Sequence, residues 1–394
     1  MFYRLVSDLF LRSVRTFPAV ILTGARQTGK STLCRTLLHE THRYVSLEDP
    51  DVRRQAVEDP RTFLKIHPPP VILDEIQYAP ELPSYLQGLI DADRKKYGQY
   101  ILTGSQNFLL MERISQSLAG RAALLTLYPC SVSEIDGPEA KPRSEPEAVA
   151  DWILRGGYPE LRGRSELDRR TWCASYIRLY LERDVRRLVN VGDLDGFERF
   201  LRLVAIRTGQ ILNRSDLARD AGVSPPTADR WLSVLQASYQ IHLLHPFHAN
   251  LSKRLIKAPK IYFGDTALAS YLMGLHDAEV LNNGPFLGPL LETAVYLEHL
   301  KWGSQRGDIP SFSYFRTKEG LEVDLFIEEG SGLHAREVKA SRTLTSEMGH
   351  NMITAEKYLD RPLTKTVLAP VESPTELARG VSVRPWHRVE WPLS

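Results

Sequence analysis

Cysteine is scarce. Cys34, Cys130 and Cys173 are the three in 394 residues, and their spacing provides neither a zinc-type pair nor a disulfide framework. Core thiols in a reducing compartment are the expectation. Long apolar runs are also missing: none approaches the ~18 residues of a membrane span. The start, Met1-Phe2-Tyr3-Arg4, lacks the basic residues and apolar core of a secretory signal. A cytoplasmic chain with no membrane partner is expected. Nor is there an excess of one charge. Fifty Lys and Arg against 48 Asp and Glu leave a formal +2, so any basic surface has to be local. At 43% hydrophobic and 25% charged, the composition is that of an ordinary globular protein. Its length exceeds what one hydrophobic core serves, which predicts two or three domains.

What is present starts with Ala19-Val20-Ile21-Leu22, an apolar run that leads into Gly24-Ala25-Arg26-Gln27-Thr28-Gly29-Lys30-Ser31-Thr32. A buried strand, a glycine loop and a helix (Thr32 to Leu38) form an arrangement that wraps a nucleotide's phosphates. The glycines turn backbone N–H groups inward, and the helix N-terminus adds its positive dipole. Lys30 supplies a point charge for the β- and γ-phosphates, and the Ser31 hydroxyl is a ligand for Mg2+. Arg26 is a further candidate for a phosphate or partner contact. ATP with magnesium is the cofactor pair that this motif predicts.

Hydrolysis requires more than binding. Val71-Ile72-Leu73-Asp74-Glu75-Ile76 reads as a second buried strand ending in two carboxylates. Asp74 is placed to hold the magnesium, and Glu75 to polarise the water that attacks the γ-phosphate. A third strand, Gln99 to Ser105, ends in hydroxyls, and Thr103 or Ser105 is the candidate sensor between the carboxylates and that phosphate. A plain strand-end turn at Gly104 is the competing reading. Arg121, in Ser117-Leu118-Ala119-Gly120-Arg121, is the candidate arginine finger, acting in cis or across a subunit interface. A surface arginine bound to a carboxylate is its alternative.

Along the chain, a helix within residues 1–18 precedes strands at Val20–Leu22, Tyr44–Leu47, Val71–Leu73, Tyr100–Leu102 and Ala123–Leu127, alternating with helices. That alternation predicts an α/β fold for residues 1–135, a P-loop NTPase parallel sheet with helices on both faces. The Asp-Glu strand followed by a polar-ended strand suits the additional-strand class. Residues 136–150 hold three prolines and little apolar content, and read as a linker. Residues 151–196 read as a helical segment. Within it, Arg169, Arg170, Arg178, Arg183, Arg186 and Arg187 run beside Tyr176, Tyr180 and Leu181. This is either a nucleic-acid stripe, a lever touching the nucleotide, or a solvated face laced with ion pairs.

Residues 197–282 predict a winged helix: a short helix at Ser215–Ala221, a Gly222-Val223 turn, and a helix capped by Ser224 with Pro225 at its first position. That helix points Ala228, Trp231, Leu232 and Leu235 inward, and Thr227, Asp229 and Arg230 outward. Strands Tyr239–Leu244 and Lys260–Phe263 flank a wing carrying Lys253, Arg254 and Lys257, suited to DNA phosphates. Asp229 repels a DNA backbone, so a protein-docking role stands equal. Residues 283–394 predict a small α/β domain. There, strands Leu321–Ile327 and His334–Ala340 place Asp324, Glu337 and Lys339 together, with Glu292 from the helix Leu290–Lys301 as a further ligand. Two carboxylates with a lysine can hold a divalent metal and activate water against a phosphodiester. A hairpin with charged edges, or a nuclease-like fold without activity, is the other reading.

The ordered set Leu22-Thr23-Gly24 to Lys30, Leu73-Asp74-Glu75-Ile76-Gln77, Leu102 to Ser105, Ser117 to Arg121, Gly156-Gly157-Tyr158-Pro159, Tyr180 to Asp184, Gly264-Asp265-Thr266, Glu322-Val323-Asp324 and Arg336 to Ala340 spans nearly the full chain. It resembles a large family of prokaryotic AAA-type ATP-binding proteins that join an N-terminal ATPase to a C-terminal half of unknown function. The resemblance implies an additional-strand ATPase, a winged helix and a restriction-endonuclease-like domain. It also implies Lys30, Ser31, Asp74 and Glu75 as nucleotide and magnesium residues, with Arg121 matching a family arginine. Asp324, Glu337 and Lys339 match the nuclease-type motif with no member missing. The expected function is a magnesium-dependent ATPase whose nucleotide state controls a DNA-directed C-terminal module. The alternatives are an ATP-regulated, metal-dependent DNA nuclease, or a non-catalytic C-terminal module that docks a partner protein or a second copy.

Overall fold

Every residue of Ala19–Thr23 is buried, the pattern of a strand covered on both faces. In the computed structural model, which describes residues 2–105, 117–137, 143–180, 193–247, 258–307 and 310–389, this strand (β1) is one of five in a parallel sheet. The others are β2 (Arg43–Ser46), β3 (Val71–Asp74), β4 (Tyr100–Thr103) and β5 (Ala122–Thr126), in the order β2-β3-β4-β1-β5. Placing β4 between β1 and β3 is the additional-strand arrangement of P-loop NTPases. It brings the carboxyl ends of β1, β3 and β4 side by side.

Alternation along β1 feeds two cores. Val20 and Leu22 pack with Phe10, Leu33, Cys34 and Leu38 from the helices Ser7–Thr16 and Lys30–Leu38. Ala19 and Ile21 share the opposite core with Ala56, Phe63, Leu82 and Leu86 from the helices Pro50–Glu58, Pro60–Ile66 and Leu82–Ala92. The sheet is thus covered by helices on both faces.

The chain forms two compact units: Met1–Cys130 with the short segments Ala237–Tyr239 and Ser304–Asp308, and the remainder. The first stretch of the first unit ends at Cys130, five residues before the expected boundary at 135. Ser131 caps the helix Val132–Asp136, which belongs to the second unit. The expected linker 136–150 is also shorter than its prolines suggest. Pro146 opens the helix Pro146–Arg155, because proline's fixed φ and missing N–H suit a first helical position. Arg143, just before it, is paired to Asp136 at 2.7 Å.

Within the second unit, the helices Arg169–Tyr180, Leu194–Ile206, Arg214–Ala221 and Pro225–Ala237 are accompanied by a three-stranded antiparallel sheet. Its strands are β6 (Gln210–Ile211), β7 (Ile241–Leu244) and β8 (Lys260–Phe263), in the order β6-β8-β7. A mixed six-stranded sheet follows: β9 (Ser311–Arg316), β10 (Glu322–Glu329), β11 (Gly332–Val338), β12 (Thr364–Ala369), β13 (Thr375–Leu377) and β14 (Val381–Pro385), ordered β13-β14-β12-β11-β10-β9. The segments 151–196 and 197–282 share a core with part of 283–394, while the six-stranded sheet has a further cluster of its own around Phe315, Phe326, Met352 and Val367. Trp152, Trp172, Trp231, Leu291 and Trp386 belong to one hydrophobic cluster. Arg183, Arg186 and Arg187, together with Leu181, and the wing residues Lys253, Arg254 and Lys257, lie outside the described residues. Among the described residues no helix is long and apolar enough to cross a membrane.

Two distant sequence motifs prove to be one turn. Gly156 has φ 59°, and a Cβ there would come within 2.1 Å of Asp265 Oδ1. Asp265 Oδ2 accepts the Gly157 N–H at 2.8 Å, while Oδ1 accepts the Ala267 N–H at 2.9 Å and caps the helix Thr266–Leu272. Asp265 is buried, and removing it strands both donors. Asp265→Ala should therefore destabilise the second unit by about 1–3 kcal/mol, with Asp265→Asn intermediate. The midpoint of denaturant unfolding checks this.

Candidate functional site

The loop between β1 and the helix Lys30–Leu38 runs against the end of β5. Gly24, at φ 138°, lies where a Cβ would come within 2.1 Å of the Leu127 carbonyl oxygen, so only glycine passes. Gly29, at φ 94°, is the left-handed residue that starts the helix. Arg4 braces the loop from outside: Nη1 donates to the Thr28 carbonyl at 2.7 Å and Nη2 to the Tyr128 carbonyl at 2.6 Å. Thr28 Oγ1 donates to the Ala25 carbonyl at 3.0 Å, and Gln27 takes a positive φ of 60°. Thr32 faces a 460 Å³ groove beside the loop, shared with Arg35, His39 and Tyr44.

Lys30 is buried and turned back onto its own loop, donating to the Gly24 carbonyl at 2.9 Å and the Ala25 carbonyl at 2.7 Å. Burial pushes its pKa down to about 8; Glu75 draws it upward, Arg26 pushes it further down, and Asp74 draws it upward. Ser31 Oγ donates to Asp74 Oδ1 at 2.9 Å, which joins the loop to the end of β3.

Asp74 is 4% exposed and saturated by hydroxyls. Besides Ser31, Thr103 at the end of β4 donates to Oδ1, and Tyr44 of β2 donates to Oδ2 at 2.5 Å. Glu75 follows in the left-handed region at φ 58°, a conformation that costs a non-glycine residue about 1–2 kcal/mol. Its N–H donates to Thr103 Oγ1 at 3.2 Å, and its carboxylate accepts the Ser105 hydroxyl at 3.1 Å and the Gln77 side-chain amide. The two hydroxyls singled out from the sequence thus divide the carboxylates between them. The serine and aspartate so joined fit a hydrated divalent cation: neutral hydroxyls hold the Asp74 oxygens, and each can rotate away.

Arg121 is not brought to this site. It immediately precedes β5, its carbonyl accepting the Ala19 N–H at 3.3 Å at the amino end of the sheet. Gly24 follows β1 at the carboxyl end. The guanidinium grips Asp91 through two bonds of 2.8 Å. An arginine finger in cis is therefore excluded, because parallel strands put these segments at opposite edges. Tyr44, Arg4 and Gln77 were not singled out from the sequence. Gln77 was discoverable as the polar residue of the Asp-Glu-Ile-Gln string; Tyr44 and Arg4 depend on pairing across the sheet and carry no local signal.

The second constellation assembles, but around a cation of the chain's own. Asp324 on β10 accepts the Val338 N–H through Oδ2 at 2.8 Å, beside Glu337 on β11. Lys339 Nζ donates to Glu337 Oε1 at 2.7 Å, while Glu337 Oε2 is buried with no hydrogen-bond partner among the described residues. Glu292, from the helix Leu287–Arg306, accepts from Tyr262 Oη at 2.6 Å. Lys260 of β8 completes the group: its ammonium lies 2.8 Å from Glu292 Oε1, 2.6 Å from Glu322 Oε1 and 3.5 Å from Asp324 Oδ1. Burial and then Asp324 raise Glu337 to about 8, and burial and then Asp324 raise Glu292 to about 7. Burial alone would lower Lys260, yet Tyr262, Glu292, Asp324 and Glu322 together hold it well above the ordinary lysine value.

The expected ligands Asp324 and Glu337, with Lys339 and Glu292, are brought together, but a divalent cation between Glu292 and Asp324 would meet a cation already there. The Lys260 ammonium fills the position on which Glu292 and Asp324 converge. Among the described residues, no group of three or more ligating side chains is arranged to hold an ion. Lys260 escaped sequence reading because it belongs to a different sheet, 64 residues upstream of Asp324.

Comparison with known proteins follows the same division. An AAA domain family matches residues 16–136, a domain of unknown function (DUF8612) matches 146–279, and a further domain of unknown function (DUF4143) matches 287–389. The middle match covers both the helical segment and most of the three-helix region, in line with their shared core. An uncharacterized protein of Mycobacterium tuberculosis is 31% identical over 344 residues, covering 87% of this chain and 75% of the relative. One from Haemophilus influenzae is 21% identical over 311 residues, covering 72% and 74%. Among solved structures, a Walker-type ATPase of Pyrococcus abyssi aligns with a TM-score of 0.47 at 18% identity, over 69% of this chain and 96% of that one.

Lys30 gives the site a pH signature. With a free-state pKa of about 8, the buried amine loses its proton as pH rises through 8, well before an unfolded lysine does. A bound polyphosphate favours the charged form and restores the proton. Nucleotide binding at pH 8.5–9 (about half to one unit above that pKa) should take up close to one proton, falling towards zero near pH 7. Calorimetry in buffers of different ionisation enthalpy measures it.

Proposed function

The chain belongs to the family of bacterial proteins that join an AAA domain to a DUF4143 domain, and on that premise we propose that it is a magnesium-dependent ATP hydrolase whose nucleotide state controls a DNA-directed element of the second unit. The observation that supports this reading is the junction at the ends of β3 and β4, where Asp74 and Glu75 each bond a hydroxyl of the neighbouring strand.

In the proposed cycle, Lys30 leaves the carbonyls of Gly24 and Ala25 for the β- and γ-phosphates, and the loop N–H groups take the remaining phosphate oxygens. Ser31 and Asp74 would hold a magnesium ion, which when bound would supply charge neutralisation to the phosphates. Glu75 turns from Gln77 and Ser105 to orient a water in line with the γ-phosphorus. The new P–O bond forms as the bond to the bridging oxygen breaks; ADP leaves, and the water's proton passes to Glu75 and then to solvent. Thr103 and Ser105, freed from the carboxylates, report the γ-phosphate. Arg121 contributes across a subunit interface, exchanging Asp91 for the phosphate charge of a neighbour.

The DNA-directed element in this reading is the set of helices Leu194–Ile206, Arg214–Ala221 and Pro225–Ala237 with the sheet β6-β8-β7, read as a winged helix. A second reading, protein docking, is favoured by one observation. Asp229 on the helix Pro225–Ala237 is held by Arg214 at 2.8 Å, which neutralises one cation beside that helix. Salt separates the two. Binding to phosphates should weaken with a log–log slope of about −0.9 per contact; a partner retained after DNase treatment, and dependent on that helix, indicates docking.

Lys30→Ala should abolish ATP binding. Glu75→Gln should keep binding and lose turnover by about 10²–10⁴-fold, the usual contribution of a general base. Single-turnover hydrolysis with labelled ATP measures both, and normal hydrolysis by Glu75→Gln would remove Glu75 as the water-orienting group.

A further inference from the structure

We propose that the carboxylate cluster of the second unit is a metal-free centre in which the Lys260 ammonium permanently occupies the cation position, locking β8 to β10 and to the helix Leu287–Arg306. The inference starts from where the four groups originate. Lys260 comes from the small three-stranded sheet, Glu292 from the long helix, and Glu322 and Asp324 from the six-stranded sheet. These are three elements separated in sequence, and a single nitrogen is their meeting point.

The ammonium is enclosed. The Lys260 side chain is 2% exposed, with contacts of 2.6, 2.8 and 3.5 Å to three carboxylates. The Tyr314 ring lies 5.7 Å from Nζ, within the range of a cation–π contact. The outer oxygens are also committed: Glu322 Oε2 to Arg316 at 2.7 Å and Asp324 Oδ2 to the Val338 N–H. Glu292 Oε1 further accepts the Tyr262 hydroxyl. Three carboxylates thus face two cations of the chain itself, and the charge is nearly balanced without any ion.

A divalent cation coordinated by Asp324 Oδ1 and Glu292 Oε1 would have to share this pocket with an ammonium already in contact with the same oxygens. Like charges at that separation, away from water, repel strongly. Metal entry therefore requires Lys260 to leave, which would bury an unpaired ammonium or tear β8 from its neighbours. Glu337 does not touch the ammonium: Oε1 takes Lys339, and Oε2 is buried with no hydrogen-bond partner among the described residues, so it is the oxygen an ion at Asp324 would recruit. The cluster also spans the boundary between the segments matched by the two families of unknown function, so the lock fixes one to the other.

The test is Mn2+ binding to the full chain without nucleotide, counted by electron paramagnetic resonance. The wild type should show no site that Asp324→Asn removes. Lys260→Met should gain one Mn2+ site that is lost again in Lys260→Met with Asp324→Asn, whereas Lys260→Arg should gain none. Lys260→Met should also unfold at lower temperature than wild type and recover as Mn2+ is added, while wild type does not respond. Lys260→Gln provides the same readouts if the methionine variant does not accumulate folded. An Asp324-dependent Mn2+ site in the wild type overturns the proposal whatever the variants do. Folded Lys260→Met or Lys260→Gln without a new site overturns it as well. Because nucleotide is omitted, these outcomes are independent of ATP hydrolysis.

Discussion

A buried carboxylate is tolerated only when its oxygens are hydrogen-bonded, and Asp74 satisfies that requirement with hydroxyls from three separate elements. Ser31 comes from the start of the helix after β1, Tyr44 from β2 and Thr103 from β4. The bonds are possible only because β3 lies between β2 and β4, with β1 one strand further on. Disturb that order and the aspartate is left as an uncompensated charge. The geometry of the phosphate loop, through Ser31, and of the Glu75 backbone, through Thr103, follows from the same constraint.

In this free state every reactive group is occupied by a protein partner. Lys30 rests on loop carbonyls, Ser31 on Asp74, and Glu75 on Gln77 and Ser105. None of these contacts needs to be lost without replacement. In the proposed cycle a triphosphate would offer acceptors to Lys30, and its hydrated cation would offer charge to Asp74. On that proposal the free and bound arrangements would be two satisfied sets of partners exchanged around fixed strands, the kind of element that supports a two-state switch.

What could be read from residues alone was whatever local chemistry determines. The strands at Val20–Leu22, Val71–Leu73 and Tyr100–Leu102 were recovered within a residue, because doubly covered strands are continuously apolar. The glycine loop and the Asp74-Glu75 pair lie at the ends of two of those strands, so their places in the fold follow from the same signal. Elements that depend on distant partners were not legible. Gly156 and Asp265, quoted as parts of separate motifs, form one turn closed by a carboxylate. Pro146, the last proline of the stretch that reads as a linker, is the start of a helix. Arg121 lies in the expected segment but at the wrong edge of the sheet for its own loop, a fact that only strand direction reveals. Lys260 has no motif at all; three elements had to converge before its role was visible.

The two constellations show why acidic residues in a familiar pattern are insufficient evidence of a metal centre. Asp74 is surrounded by neutral donors, which rotate away at small cost and leave the carboxylate's charge available to an incoming ion. Asp324 and Glu292 are faced by an ammonium, and Glu322 by an ammonium and a guanidinium. Those partners consume the charge that would attract an ion and repel it besides. Replacing a buried ion pair by an apolar pair is often neutral for stability, whereas removing one member costs about 3–5 kcal/mol. A cluster of the second kind therefore persists once its lysine is in place: any single substitution strands a charge. On the two proposals made above, the electrical character of the partner, rather than the count of carboxylates, separates a site open to a cation from one that is closed.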